Sequence, residues 1–378
     1  MSFLSRFRTQ MSGWWHNVPM PAPDANAMPI FQSWHTFDLS CARWIPLDSI
    51  LITSARQRPR DNVLGTHTAR ESRLVLVTWN VDAFSPVPEA RISALISRIQ
   101  SLVPAADIVF LQEVSRAALS ELLATPWLRD SWYSSEADTT NWEEQSFASM
   151  TLLSKSRFGD ARRTAGEAAL GPVWRIKYPS RFGRDALCCD ILLPPSGPSP
   201  SPTAPGAATA TSASPSSPHL TRVRLINAHL DSLPVQPSLR PRQLSIIAAN
   251  LRAAGRGLVA GDFNPVLPED HTLVGTNRLV DAWTELHPSE PGFTWGVDGT
   301  EPFPPGRLDK VAMVGLEAYE IEVIPPGTLE RHQDGVAWLK QEQEQEHDRP
   351  LPWSDHSGLR CSFGLMRTES TPMVCNSP

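Results

Sequence analysis

The chain has 378 residues, 41% of them hydrophobic and 20% charged, which supports a sizeable core and excludes a disordered or fibrous protein. Its net charge of -6 supplies no overall basic field, so a nucleic-acid substrate would need a local basic groove. The five cysteines are odd in number and show no zinc-type or disulfide-type spacing, which points to a reducing, intracellular compartment.

Residues 1–70 read as a Pro-rich, largely irregular amino-terminal extension in which 34–46 is apolar enough to pack on a domain. Arg6 and Arg8 precede the first acid, Asp24, a mitochondrial-type bias that Pro19, Pro21 and Pro23 oppose by interrupting any amphipathic helix. No secretory apolar region and no membrane-length apolar run is expected. Residues 74–78 predict a buried strand. Pro88 then opens a helix whose Ile92, Leu95, Ile96, Ile99 and Val103 form one apolar stripe. A second buried strand at 107–111 completes a strand–helix–strand unit and implies α/β layering.

Further strands are predicted at 149–153, 186–193, 222–229, 257–261, 293–295, 308–314, 319–324 and 359–363, with a helix at 238–253. Cys188 and Cys189 sit inside one of these apolar runs and read as buried strand residues. Between 194 and 218 the chain is Pro/Ser/Ala/Thr-rich, a disordered insert joining two strands. Residues 341–348 read as a solvated acidic tract, and 368–378 as a flexible tail after a catalytic domain at 71–367. Arg157, Arg162, Arg163, Arg175, Lys177, Arg181 and Arg184 offer a candidate basic groove, or a solvated face.

Polar motifs end the apolar runs. Asn80 and Glu113 close the first two strands, His229 and Asp231 a third, and Asp262 with Asn264 a fourth. A carboxylate in such a place is a rim residue or a ligand for a hard cation, and Mg2+ needs only one or two carboxylates because it keeps several waters. Asp262 and Asn264, two apart, point to one side, where one can orient and deprotonate water while the other donates to a phosphate oxygen. Gly-Asp-x-Asn is equally a turn signal. Asp309 begins a strand, and His356 lies in a polar loop before another. An Asp–His pair favours the imidazolium, which can donate to a phosphate oxygen or to the leaving group. One such donor is worth ~3 kcal/mol.

Taken in order, Thr78-Trp79-Asn80-Val81-Asp82, Leu111-Gln112-Glu113, His229-Leu230-Asp231-Ser232, Gly261-Asp262-Phe263-Asn264, Arg307-Leu308-Asp309 and Ser354-Asp355-His356-Ser357-Gly358-Leu359 resemble the endonuclease/exonuclease/phosphatase superfamily, over about 74–363. Arg240 with Gln243-Leu244, Val280-Asp281 with Trp283, and Phe293 with Trp295 are similar to its 5′-tyrosyl-DNA phosphodiesterase branch. The resemblance implies a four-layer α/β/β/α sandwich and a Mg2+-dependent phosphodiesterase, with Mn2+ as substitute ion. It implies that Glu113 binds the metal with Asn80 nearby and Asp355 acting through water. Asp262 would position or activate the water, Asn264 and His229 hold the phosphate, and Asp309 orient His356. Asp82 would support the site, while Trp295 and Arg240 would contact substrate.

The family's arginine after Gly-Asp-x-Asn is replaced here, the following residues being Pro265 and Val266, and Asp231 stands where the branch has Glu. These departures bear on the substrate more than on the chemistry. The implied partner is nucleic acid with a 5′ protein adduct, handled by a monomer in nucleus or cytoplasm. Alternatives are a hydrolase of a lipid headgroup, inositol phosphate or nucleotide on the same scaffold, and a non-catalytic binding module. A long basic groove would favour nucleic acid, whereas a closed pocket or an exposed apolar rim would favour the other hydrolases.

Overall fold

The apolar runs that end in polar motifs are the central strands of two packed sheets. The computed structural model describes residues 18–21, 27–47, 73–159, 168–194, 220–299, 303–329 and 350–366. Its first half contains β1 (Pro29–Gln32), β2 (His35–Asp38), β3 (Arg43–Pro46), β4 (Arg73–Asn80), α1 (Pro88–Gln100), β5 (Ile108–Ser115), α2 (Arg116–Ala124), α3 (Pro126–Ser131), β6 (Trp132–Ser134), β7 (Phe147–Ser154) and β8 (Phe158–Gly159). There follow β9 (Ala168–Lys177), β10 (Asp185–Leu193), β11 (Thr221–His229), α4 (Arg240–Ala254), β12 (Gly257–Asp262), α5 (Leu273–Thr276), β13 (Val280–Asp281), α6 (Ala282–Leu286), β14 (Asp309–Val314), β15 (Leu316–Ile324) and β16 (Gly358–Leu365).

One sheet has the order β15-β16-β4-β5-β7-β6-β2-β3. The other runs β1-β9-β10-β11-β12-β14-β13, with β8 beside β9. Alternation along each strand divides the side chains between two layers. Leu74, Leu76, Ile108 and Phe110 face Leu187, Leu225, Leu258 and Val311 between the sheets. Val77, Trp79, Val109 and Leu111 face outward under Ile92, Leu95, Ile96 and Ile99 of α1. On the opposite side Ile226, Ala228 and Val259 lie under Leu244, Ile247 and Leu251 of α4. Each buried aliphatic side chain contributes roughly 1.5–3 kcal/mol, enough for one stripe to dock a helix. The result is the four-layer α/β/β/α sandwich that the sequence predicts.

Several elements differ from the sequence reading. The stretch 1–70 is not irregular where it is described: β1 extends one sheet alongside β9, and β2 with β3 extends the other beyond β6. Trp34 is the anchor, 1% exposed, and its indole donates to the Gly171 carbonyl at 2.9 Å. β9 was concealed by Gly171, Pro172, Arg175 and Lys177, which break its apolar pattern. Residues 293–295 form no strand; Trp295 makes only isolated bridges to Gly306 and His356. β10 and β11 are antiparallel neighbours, so the Pro/Ser-rich insert joins adjacent strands, although 195–218 lies outside the described residues. The acidic tract 341–348 and the tail after 366 lie outside them as well. Among the described residues no helix is long and apolar enough to cross a membrane.

Candidate active site

β4 and β5 are parallel, as are β11 and β12. Their carboxyl ends therefore carry Asn80, Glu113, His229 and Asp262 to one edge of the sandwich. β14 runs antiparallel to β12 with Asp309 paired opposite Asp262, and β16 runs antiparallel to β4, which brings the 354–357 loop to the same edge.

Asp262 is the hub of this edge. Asn80 Nδ2 donates to its Oδ2 at 3.2 Å, and the Asn264 backbone N–H donates to its Oδ1 at 2.9 Å. His229 Nε2 lies 3.4 Å and His356 Nε2 3.9 Å from the same Oδ2. Burial pushes the Asp262 carboxyl up to about 7 against the pull of His356, with Asp309 and Glu113 adding to the rise. Asn264 itself has a φ of +47°, a conformation Asn tolerates, and its Nδ2 donates to the Leu230 carbonyl at 3.2 Å.

Glu113 is turned toward this group by backbone geometry. The β5–β7 register shifts between Leu111 and Val114, and Glu113 takes a φ of +57° within the strand. Its Oε2 accepts the Ala83 N–H at 3.0 Å, while Oε1 stands 3.6 Å from Arg184 Nη2 and 3.7 Å from His229 Nε2. Burial raises its carboxyl above the usual range, opposed by the Ala83 N–H and Arg184.

The two histidines differ in charge. Burial opposes protonation of His356, but Asp309 Oδ2 at 2.8 Å from Nδ1, with Asp262 and Asp355, holds the imidazole protonated well above its ordinary value. Burial, Arg184 and His356 push His229 well below that value, so it is neutral. The contacts of His229 with two carboxylates are therefore not ion pairs, and its buried Nε2 has no hydrogen-bond partner among the described residues. A polar atom left so beside Asp262 and Glu113 is available to a ligand.

The remaining predicted residues have structural or peripheral places. Asp82 pairs with Arg91 of α1 at 3.0 Å and accepts the Phe84 and Ser85 N–H groups, which shapes the loop beneath Glu113. Ser354 Oγ donates to the Asn80 carbonyl and accepts the His356 N–H, which ties the two loops together. Asp355 is exposed and accepts from the half-buried Trp295 indole at 3.1 Å, so both stand at the rim. Arg240 corrects the sequence reading. Its guanidinium is buried against Asp270 at 2.8 Å and against the Asp231 and Leu233 carbonyls, where it braces a loop away from the exposed rim. Asp231 likewise binds inward, to Ser180, the Arg181 N–H and Gln243.

Among the described residues the candidate basic groove does not assemble. Arg175 is buried in ion pairs with Glu136 and Asp185, Lys177 pairs with Glu143, and Arg157 donates to Arg73 at the opposite end of the strands. Arg162 and Arg163 lie outside the described residues. Of the described members, Arg184 lines a cavity with Glu113 and His229, and Arg175 reaches the same cavity from its ion pairs. Arg184, offered by the sequence only as one member of that set, reaches Glu113 and stacks 4.8 Å from the Phe147 ring centroid. Nothing in a run of scattered arginines singled it out.

The donor set is rich in oxygen, with Glu113, Asp262, Asp355 and the Asn80 amide at one edge. Such hard ligands suit Mg2+ or Mn2+, and Glu113 Oε1 forms no hydrogen bond that would compete. Among the described residues no three of His, Cys, Asp and Glu form a ready metal cage, so the fit is to an ion such as Mg2+ that takes the single carboxylate of Glu113 and keeps its waters.

The profile of the Endonuclease/Exonuclease/phosphatase family matches residues 77–356, nearly three-quarters of the chain. The chain belongs to that family. It is a phosphodiesterase-type hydrolase. No curated protein matches it by sequence. Among solved structures it is similar to D. rerio TDP2 humanized by 14 mutations, at 20% identity and TM-score 0.53, over 77% of this chain and 99% of that chain. It is also similar to D. rerio TDP2 complexed with a single-strand DNA product, at 19% identity and TM-score 0.52, over 78% and 99%. Truncated Caenorhabditis elegans TDP2 matches at 17% identity and TM-score 0.50, over 77% and 97%. At these identities the likeness is one of fold.

Proposed function

We propose that this protein is a Mg2+-dependent phosphodiesterase of the 5′-tyrosyl-DNA type, active in DNA repair. The observation that carries the hydrolytic part is the Asp262 hub, where a carboxyl raised to about 7 meets neutral His229, charged His356 and the Asn80 amide. We take the catalytic domain as 71–367, with β1, β2 and β3 as its edges, working as a nuclear or cytoplasmic monomer.

Water held by Asp262 and Asn264 attacks phosphorus. Its oxygen forms the new P–O bond, its proton passes to Asp262, and the bond to the leaving oxygen breaks. His356, kept charged by Asp309, donates to a non-bridging oxygen or to the departing oxygen. His229 and Asn264 hold the phosphate. Positioning and charge stabilisation dominate such reactions, so the fixed hydrogen bonds of this edge matter more than any nucleophile of the protein. A Mg2+ ion held by Glu113, with Asn80 close by and Asp355 acting through water, would polarise the phosphate.

The fold shared with a D. rerio TDP2 bound to a single-strand DNA product supports nucleic acid as substrate. Trp295 at the rim supplies a face for stacking on a base or a tyrosyl ring. A second reading has its own observation. Phe84, Leu233, Val266, Phe293, Val297 and Phe303 are all exposed on loops at this edge, an apolar rim that favours a lipid phosphodiester.

The deciding experiment offers an oligonucleotide bearing 5′-phosphotyrosine, and separately zwitterionic phospholipid vesicles, each with Mg2+ and with EDTA. Metal-dependent release of tyrosine supports the first reading. Release of headgroup without release of tyrosine replaces it with the second.

A further inference from the structure

The four central strands that carry the site are fastened to one another by side chains the proposed reaction does not use. Gln112, next to Glu113, is wholly buried between the sheets. Its Nε2 donates to Thr78 Oγ1 on β4 at 3.0 Å and to Asn227 Oδ1 on β11, across the sandwich, at 2.7 Å. Asn227 answers in the other direction. Its Nδ2 donates to the Leu111 carbonyl of β5 at 3.2 Å and to the Met150 carbonyl of β7 at 2.9 Å. Those two residues are the last paired couple before the β5–β7 register shift that turns Glu113 toward the site.

Each member of this clasp lies one or two residues from a site residue. Thr78 precedes Asn80 by two, Gln112 precedes Glu113 by one, and Asn227 precedes His229 by two. The fourth strand is admitted by Gly261, beside Asp262. At a φ of +135°, a Cβ on Gly261 would stand 2.0 Å from the Ala228 carbonyl and 3.1 Å from Gln112 Nε2. A side chain there would push the β11–β12 pair and the Gln112 amide apart. Sheets packed through apolar side chains alone can slide, because dispersion contacts are non-directional. Sliding would break these directed bonds and leave the Gln112 and Asn227 amide nitrogens unpaired, beside the Gln112 Oε1 that already lacks a partner among the described residues.

We propose that Gln112 and Asn227 are positioning residues: this cross-sheet amide pair fixes the separation between Glu113 on one sheet and His229 on the other. The inference rests on the reading of those two residues as site residues, but it can fail separately. The Glu113–His229 distance of 3.7 Å is the quantity held. Beside the clasp, the two carboxyl-terminal strand ends are bridged by Asn80 with Asp262, by Arg184 with Glu113 and by His356 with Asp309.

The test compares Gln112→Met, Asn227→Leu and their double variant with the parent. Turnover of bis(p-nitrophenyl) phosphate with Mg2+ is measured alongside Mg2+ binding by calorimetry and the His229 ring signals by NMR. Supporting residues of this kind govern ~10–100-fold in activity or metal affinity, so each single variant should lose that much in kcat. KM should change by less than about 3-fold, and the double variant should be no worse than the poorer single one, as expected of one shared interaction. The His229 signals should shift in both single variants. Thr78→Val removes one acceptor at little cost in volume and guards against a variant that fails to fold; it should lower kcat, and Thr78→Ser should restore it. Parent-like kcat and parent-like His229 signals in Gln112→Met, Asn227→Leu or Thr78→Val would overturn the proposal. If the parent itself neither turns over substrate nor binds Mg2+, the catalytic reading fails instead, and the His229 signals still decide whether the clasp positions that residue.

Discussion

The Asp309 carboxylate and the His356 imidazole are buried together, with Oδ2 2.8 Å from Nδ1. Two Thr294 contacts hold this pair in place, since the Leu308 and Asp309 N–H groups both donate to Thr294 Oγ1. The pair presents His356 Nε2 to Asp262 at 3.9 Å, so one charged donor faces one carboxyl of raised pKa. That division of roles is the electrostatic basis of the proposed reaction.

His356 and Asp309 should therefore act as a unit. His356→Ala is expected to lower kcat by about 10²–10³-fold, the usual loss for a charge-stabilising donor. Asp309→Asn in the His356→Ala background should add little, because the carboxylate acts through the ring. Steady-state kinetics of the single and double variants measure this directly, and additive losses would show that Asp309 has a separate role.

Asp262 gives a pH signature in the metal-free protein. Its carboxyl binds a proton more tightly when folded, about 7 against 3.8, so its contribution favours folding below 3.8 and is lost as pH rises toward 7. In Asp262→Asn that titration is absent. The unfolding free energy of the parent minus that of the variant should fall between about pH 4 and 7, by up to ~1.4 kcal/mol per pH unit. Urea titrations in EDTA across that range provide the measurement, and a flat difference would contradict the burial described for this carboxyl.

Arg240 should behave as a brace. Arg240→Met leaves Asp270 buried and unpaired, for which a loss of roughly 3–5 kcal/mol in stability is expected. KM of the folded fraction should stay at the parent value. A raised KM with parent stability would return Arg240 to the substrate.

Trp34 makes the same kind of claim for the amino-terminal strands. Trp34→Ala removes a buried indole and its bond to Gly171, at a cost of roughly 3–5 kcal/mol, read from the urea midpoint. A midpoint unchanged from the parent would show that β1, β2 and β3 are not part of the cooperative unit.

The central strands were legible in the sequence because residues buried on both faces leave long apolar runs, and a polar residue at the end of such a run stands out. Asn80, Glu113, His229 and Asp262 were found that way, and the structure brings them together with Asp309, which begins a strand. β9 escaped because Arg175 and Lys177 sit within it, their charges neutralised by Asp185 on the next strand and by Glu136 and Glu143. The substrate role for Arg240 came from the resemblance alone, and nothing in the sequence shows that Asp270, 30 residues on, buries it in an ion pair. Arg184 could be chosen from its neighbours only by its distance to Glu113. Gln112 was visible as a motif letter, but its bond to Asn227 on the other sheet has no sequence spacing.

The central claim is that Asp262 works with a divalent cation to hydrolyse a phosphodiester. It is tested most directly by turnover of bis(p-nitrophenyl) phosphate, in Mg2+ and in EDTA, for the parent and for Asp262→Asn. The account predicts turnover by the parent in Mg2+, none in EDTA, and a loss of about 10²–10⁴-fold in the folded variant. Undiminished turnover by Asp262→Asn, or parent turnover that persists in EDTA, would contradict it.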